Sequence, residues 1–221
     1  MKKTAIIAGA SGLVGGHCLQ LLLNDAGYDT VIAPVRKTLP LAHPKLRQHV
    51  VDFDNLRASA AILRGDELFC CLGSTMKKAG SREAFRKVDF EYPKALAELA
   101  LENGVKRFLI VTALGADPHS KIFYNRVKGE VEMVVRALPF ESVHIFRPSM
   151  LLGERSESRP AEKIGGAAMR ALSFLMRGSL KNYRAIRVED VARAMVSAAG
   201  SGSNGVVIHE SGEMQRKDTR A

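Results

Sequence analysis

The sequence predicts an α/β protein: a Rossmann-like, doubly wound parallel sheet with helices on both faces and a small substrate-side elaboration towards the C-terminus. Three observations predict it. Residues 3–8 form an apolar run suited to a buried strand, which leads into Gly9-Ala10-Ser11-Gly12-Leu13-Val14-Gly15-Gly16 and then into a stretch with helical apolar spacing. Apolar runs then alternate with amphipathic stretches along most of the chain, the rhythm of βαβ units. No low-complexity linker divides the 221 residues, 46% of them hydrophobic, so a single domain over 1–221 is expected.

The glycine turn comes first. Glycines at 9, 12 and 15 let the chain reverse tightly, bring backbone N–H groups against a pyrophosphate and let the helix lie close on the sheet. Gly9, Ser11, Gly12, Leu13, Val14 and Gly15 are therefore candidate cofactor-binding residues, against the plainer reading of a glycine-rich βα turn. Strands are expected at 4–8, 30–35, 48–51, 67–72, 107–112 and 142–146. Between the first two, Val14, Cys18, Leu21 and Leu22 share one helix face. Phe85, Val88, Tyr92, Leu96 and Leu99 keep the same spacing, and Pro93 within it predicts a kink or a restart. Asn103-Gly104 supplies a helix stop, and a further helix is expected from about 120 to just before Pro139. After Phe146 the texture changes, and residues 153–186 read as the substrate-side elaboration. A helix at 189–199, a short strand at 206–209 and a charged, frayed tail over 212–221 complete the expectation.

Composition narrows the partners. No stretch approaches the roughly 18 uninterrupted apolar residues of a membrane span, and the first apolar run is too short for a signal h-region, which leads us to expect a cytoplasmic protein. Cys18, Cys70 and Cys71 lack metal-ligand spacing; they read as reduced packing residues, with a reactive thiol near a cofactor as the alternative, and no metal is expected. The formal charge of +10 raises nucleic acid as a partner, but Lys and Arg are scattered, aromatic content is 6% and there is no tryptophan. A phosphate-rich cofactor is the simpler partner for a basic surface.

Two constellations carry chemistry beyond the turn. Where an NAD-binding unit places a carboxylate for the ribose 2′-OH, this chain has Val35-Arg36-Lys37, and a guanidinium there suits a 2′-phosphate, which favours NADPH/NADP+. A solvated basic loop is the alternative. Asp52-Phe53 could border the adenine or form an ordinary Asp-rich turn. Leu72-Gly73-Ser74-Thr75 closes the fourth strand where the nicotinamide half should pass, and Lys77 and Lys78 follow in what reads best as a solvated loop. The second constellation is Thr112, Tyr124 and Lys128. Tyr124 and Lys128 are i and i+4, so they share a helix face, and they follow a strand that ends in a hydroxyl residue. A Tyr-x-x-x-Lys pair arises often by chance; position in the chain gives this one its weight. A half-buried packing tyrosine and a surface lysine form the alternative.

At these residues the chain resembles the short-chain dehydrogenase/reductases of the atypical or extended kind. Gly9, Gly12 and Gly15 match the family's cofactor turn, and Thr112, Tyr124 and Lys128 match its Ser/Thr-Tyr-Lys triad. Within the family the likeness is to the Tat-interacting-protein type of oxidoreductase. It rests on Cys71-Leu72-Gly73-Ser74-Thr75, Lys78-Ala79-Gly80-Ser81, Phe85-Arg86-Lys87-Val88-Asp89, Tyr124-Asn125-Arg126-Val127-Lys128-Gly129-Glu130-Val131-Glu132, Phe146-Arg147-Pro148 and Glu157-Ser158-Arg159-Pro160. The resemblance implies an NADP(H)-binding Rossmann fold and a reductase, or, since animal relatives of this type are discussed as NADPH-dependent regulators, a redox sensor that does not turn over and acts on a protein partner. Threonine stands at 112 in place of the commoner serine, and the asparagine of the family's proton relay is replaced near Asp89.

The implied roles follow from each group. Tyr124 would protonate a substrate carbonyl oxygen, Lys128 would stabilise the phenolate and bond the nicotinamide ribose, and Thr112 would polarise the carbonyl. The substrate expected is a small carbonyl or quinone-like molecule. A nucleoside-diphosphate-sugar epimerase is a third reading, against which only about seventy residues follow the sixth strand. Arg147-Pro148 reads as structural more than as a clamp; 150–152 and 167–176 suggest an apolar wall or a packed helix, and Arg155 and Arg159 could bind an acidic group.

Overall fold

In the first strand, β1 (Lys3–Ala8), successive side chains point to opposite faces of the sheet and both faces are covered. Ala5 and Ile7 enter one hydrophobic core, Ile6 and Ala8 the other. The same division repeats along the sheet: Phe69 and Leu109 face one way, Leu68, Cys70, Phe108 and Ile110 the other. This two-sided burial explains why the strands read as continuous apolar runs. The structure, a computed structural model, describes residues 2–153 and 182–215.

Seven strands form one sheet in the order β3-β2-β1-β4-β5-β6-β9, with every neighbouring pair parallel. They are β1, β2 (Tyr28–Val35), β3 (Leu46–Val50), β4 (Glu67–Cys70), β5 (Arg107–Val111), β6 (Ser142–Arg147) and β9 (Gly205–Glu210). The chain runs outward from β1 to β3 and then returns to place β4 on the other side of β1, so the order reverses between β1 and β4. In a doubly wound sheet the crevice at the carboxyl ends of such a pair is where ligands bind. Helix α1 (Leu13–Asn24) and the later helix Val188–Ala199 cover one face; Tyr92–Glu102, Phe123–Ala137 and a kinked 3₁₀ stretch, Phe53–Ile62, cover the other.

The expected strands are present with small shifts. The third lies at Leu46–Val50 and the fourth and fifth end at Cys70 and Val111, before residues that lead into the site loops. At Pro93 the chain does not restart: the backbone stays right-handed helical at Arg86, Lys87, Glu91 and Tyr92, and a single π turn, Lys87–Glu91, passes into the helix Tyr92–Glu102 and accommodates the proline's missing N–H. The helix expected from about 120 begins at Phe123, after a turn in which the Asp117 side chain accepts from the His119 N–H. A two-stranded parallel ladder, β7 (Leu151–Leu152) with β8 (Ile186–Arg187), was not foreseen, because two-residue strands carry no period. The expected frayed tail over 212–221 is corrected at its start. Ser211–Met214 is a helical turn closed by a capping box between Glu210 and Glu213, with Met214 buried. Residues 154–181, with Arg155, Arg159 and the 167–176 run, lie outside the described residues.

Buried polar groups are satisfied in clusters. Glu67 is fully buried near the amino end of the sheet, where Lys3 Nζ (2.7 Å), Arg107 (3.3 Å) and the Tyr28 hydroxyl converge on its carboxylate. The cysteines pack as expected: burial pushes the Cys70 thiol up to about 12, and Cys18 and Cys71 each lie against the Met195 sulfur. A third cluster joins β6 to the edge strand. Ser142 Oγ lies 2.9 Å from His144 Nε2, His144 Nδ1 lies 3.0 Å from His209 Nε2, and the His209 ring stacks on Phe146 at 4.5 Å.

Burial, with the nearby His209 and Arg107, pushes His144 down to about 4, and burial also lowers His209. An unfolded histidine titrates near 6.5, so between about pH 6.5 and 4 the unfolded chain binds more protons than the folded one. Stability is therefore full above about pH 6.5 and is lost as pH falls towards 4. Thermal unfolding followed from pH 7 to pH 4 should show Tm falling over that window, with a shallower fall in His144→Gln.

Candidate functional site

The turn after β1 is held by backbone against backbone. Gly9 has φ +86°, and a Cβ there would lie 2.5 Å from the Cys71 carbonyl oxygen; a Cβ on Gly15 would lie 2.1 Å from the Gly9 carbonyl oxygen. The Gly12 N–H donates to that same Gly9 oxygen at 2.9 Å. Gly12 is the N-cap of α1, so no side chain caps the helix, and its first turn holds no acidic residue. The free N–H groups and the positive end of a 12-residue helix thus meet the crevice between β1 and β4.

Around this turn the other expected cofactor residues separate. Arg36 and Lys37 lie exposed just after the carboxyl end of β2. Asp52 caps the 3₁₀ stretch through a 2.9 Å bond from the Asp54 N–H, and Phe53 is buried with its ring 5.5 Å from that of Tyr92. Both have structural duties there. Leu72, Gly73 and Ser74 follow β4. Lys77 and Lys78 are exposed on a short helical turn, α2 (Met76–Ala79), whose N-cap Thr75 accepts from the Lys78 N–H, so this segment is more ordered than the loop expected.

Helix α5 (Phe123–Ala137) brings Tyr124, Lys128 and Glu132 onto one face at i, i+4 and i+8. A Cβ on its Gly129 would lie 2.2 Å from the backbone of Asp117 and Pro118, so glycine there lets the helix lie directly on the loop after β5. The Tyr124 ring packs 5.3 Å from Phe85, and Phe123 beside it is flanked by Arg82 and Arg126, at 5.2 and 5.7 Å. Lys128 is 5% exposed, with Nζ 2.7 Å from Asp89 Oδ1. Asp89 is buried, and its Oδ2 accepts from the Ser74 N–H at 2.8 Å. A Cβ on Gly73 would touch both Asp89 Oδ1 (3.4 Å) and Lys128 Nζ (3.5 Å), so this exposed glycine lies directly over the ion pair.

Thr112 has a different setting from the one expected. It is 4% exposed; its hydroxyl donates to Glu132 Oε1 at 2.6 Å and lies 3.3 Å from the Phe146 carbonyl oxygen. Arg147 grips the same carboxylate at 2.6 Å and also pairs with Glu210 at 3.2 Å. The structure thus gathers Gly73, Ser74, Asp89 and Lys128, with Tyr124 one turn before Lys128, and commits the Thr112 hydroxyl to Glu132. Asp89 as the lysine's partner and Glu132 as the threonine's were missed as site residues. The i, i+4, i+8 spacing of Tyr124, Lys128 and Glu132 carries a trace of this, because a glutamate on a core-facing stripe requires a buried partner.

Burial acts to push Lys128 down, but the charge of Asp89, with Tyr124, outweighs it and holds the ammonium above its ordinary value. Burial raises Asp89 above the usual carboxylate range against the opposing pull of Lys128 and the Ser74 N–H. Asp89 Oδ1 lies 2.7 Å from Lys128 Nζ and, with two lone pairs, keeps an acceptor position beside that contact.

A profile of the NAD(P)H-binding family matches residues 9–201. The chain belongs to the NAD(P)H-binding family. Its relatives include Protein HTATIP2 of Rattus norvegicus, 36% identical over 223 residues, which cover 99% of this chain and 87% of that protein. Protein FMP52, mitochondrial, of Coccidioides immitis is 35% identical, over 90% of this chain and 85% of its own. Among solved structures, the Bordetella bronchiseptica enzyme WbmH in complex with NAD+ superposes with TM-score 0.71 at 18% identity, covering 95% of this chain and 76% of that one. The Thermotoga maritima UDP-glucose 4-epimerase with UDP-glucose gives 0.70 at 18%, covering 95% and 77%. These two establish the Rossmann fold. Among the described residues no helix is long and apolar enough to cross a membrane, and the fungal relative's name carries the word mitochondrial, so the expected cytoplasmic location gains no support.

The residues of this NAD(P)H-binding protein fit a nicotinamide dinucleotide. The uncapped start of α1 suits a pyrophosphate, and the acceptor left on Asp89 Oδ1 beside exposed Gly73 suits a ligand hydroxyl.

Gly15→Ala should lower Tm and weaken NADPH and NADH binding by at least about tenfold, since the new methyl meets backbone with no flexible atom to yield. Cofactor fluorescence titration and a thermal scan check it. Thr112→Val, which leaves Glu132 short of a donor, should cost about 1–3 kcal/mol in urea unfolding, while Thr112→Ser keeps most of the stability.

Proposed function

We propose that the protein is an NADPH-dependent oxidoreductase of a small carbonyl or quinone-like substrate, with Tyr124 as proton donor and Lys128 as its cationic partner. The observation that carries this reading is the pairing of a half-buried Tyr124 with a buried, ion-paired Lys128 on one face of α5, beneath the exposed Gly73 that follows β4. The family match supports a nicotinamide cofactor, and its span supports reading the chain as one cofactor-binding domain.

Gly9, Ser11, Gly12, Leu13, Val14 and Gly15 would hold the pyrophosphate, and Leu72, Gly73, Ser74 and Lys128 the nicotinamide half. Arg36 and Lys37 support NADPH over NADH, because β2 ends in cations where a ribose 2′-OH would need a carboxylate. Asp52 and Phe53 border the adenine through atoms left over from their structural duties. When bound, the reduced nicotinamide supplies hydride to the substrate carbon.

The chain's own part is to supply the proton and hold the geometry. Tyr124 carries the proton on Oη and delivers it to the carbonyl oxygen. An ordinary phenol titrates near 10, so loss of that proton near neutral pH needs a cation close by, which Lys128 provides. Thr112, with its hydroxyl given to Glu132, acts as a positioning residue that ties β5 to α5. Arg82, Arg126 and Phe123 form a cationic, aromatic rim next to Tyr124.

NADPH oxidation with a panel of aldehydes, ketones and quinones tests the reading. Tyr124→Phe should lose about 10²–10⁴-fold in turnover while binding NADPH as before. Arg36→Ala should weaken NADPH about 10–100-fold and leave NADH unchanged, the loss expected for one charge-assisted bond to a phosphate. NADPH binding with no substrate reduced by either protein is the outcome expected of a redox sensor, and absence of binding overturns both.

A further inference from the structure

We propose that Asp89 is the buried counter-ion that keeps Lys128 protonated and fixed beneath Gly73, a positioning residue without which the Tyr124–Lys128 pair loses its cation. The proposal rests on the role given to Lys128 above, but its first test does not depend on turnover.

An ammonium that is 5% exposed cannot stay charged unaided, since burial alone lowers a lysine by up to about 3–5 pH units. The charged and titratable groups to weigh around it come from four elements. From α5, Glu132 lies one turn beyond Lys128, but Thr112 and Arg147 engage its carboxylate. Also from α5, Tyr124 lies one turn before Lys128 and offers a hydroxyl, not a carboxylate. From β4, burial holds Cys70 as a neutral thiol. From α3 (Arg82–Arg86), the Arg86 charge is taken up by Glu130. Asp89, in the π turn before the helix Tyr92–Glu102, is the carboxylate in ionic contact with Lys128 among the described residues.

The backbone is built to deliver it. In a regular α-helix the Asp89 carbonyl would accept from the N–H of residue 93, which is proline and has none. The chain passes this point as a π turn, and Asp89 is the one buried residue of that turn. The Ser74 N–H then fixes Oδ2, which leaves Oδ1 towards Nζ. One carboxylate thereby ties the loop after β4 to the face of α5. Asparagine has the same shape but no charge to set against the ammonium.

The test is a titration of the cofactor-free protein with ¹³Cε-labelled lysine, followed by NMR, with Lys128→Arg to assign the signal. The Lys128 midpoint should fall by at least about 2 pH units in Asp89→Asn, a hundredfold loss of proton affinity. A midpoint within about half a unit of the parent's, in a folded variant, overturns the proposal. NADPH affinity gives a second readout. It should stay level from pH 7 to 9 in the parent, fall about tenfold in Asp89→Asn, and become level again in Asp89→Asn/Lys128→Arg, because a guanidinium keeps its proton.

If Asp89→Asn does not fold, Asp89→Asn/Lys128→Met should, since removing both charges leaves no unpaired buried ion. A double variant that folds no better overturns the proposal. A shifted lysine in a protein that reduces nothing counts against the oxidoreductase reading alone, and an unshifted lysine in an active enzyme counts against this proposal alone.

Discussion

The close backbone approach of Gly15 to the Gly9 carbonyl, and of Gly9 to that of Cys71, is the constraint on which the site depends. It sets the start of α1 directly over the switch between β1 and β4. Any side chain at 9 or 15 would push the helix from the sheet and carry its uncapped N–H groups away from the strand ends. The Gly12 N–H and the Gly9 oxygen close the turn internally, so its shape needs no ligand. The turn is preorganised, and binding need not pay the entropy of ordering it.

The second organising feature is the single stripe of α5. One helical face holds Tyr124 towards Phe85, Lys128 beneath Gly73, and Glu132 under β5 and β6. Reaction chemistry and structural anchoring therefore use successive turns of the same helix, and Gly129 lets that helix lie against the loop after β5. A shift of α5 would disturb the Glu132–Arg147 anchor and the Lys128–Asp89 pair together. Two buried ion pairs on one face favour a single position, because a slipped helix would leave at least one charge unmatched in a poorly solvated interior.

Much of the fold was legible because the information is local. The inner strands, buried on both faces, read as apolar runs, and the glycine turn read as a turn because its spacing lies within seven residues. Pro93 marked an irregularity at the right place. What escaped is set across space. The sequence shows that Lys128 and Glu132 share a face with Tyr124, but a period identifies a face and not the group opposite it. Asp89 is 39 residues from Lys128 by number, and its inward turn depends on a π turn that no periodicity announces. Thr112 matched a pattern by type and position, yet a buried carboxylate decides where its hydroxyl points. The two-residue ladder β7–β8 and buried Met214 escaped for the same reason: each exists through a distant partner.

The distribution of charge has the same logic. The interior holds its ions in matched sets, Glu67 with Lys3 and Arg107, Glu132 with Arg147, Asp89 with Lys128, so the excess of +10 is expressed mainly outside the core. Part of it lies where the sheet's carboxyl edge opens. Arg36 and Lys37 follow β2, Lys77 and Lys78 follow β4, and Arg82 stands over Phe123 beside Tyr124. Cations at that edge and the positive end of α1 act in the same direction on an approaching polyanion, and their field extends about a Debye length, near 8 Å at physiological salt. Beneath them, Lys128 is neutralised by Asp89 and adds little to that field. The long-range attraction for phosphate and the local charge beside Tyr124 are thus assigned to different residues, so either can change without the other.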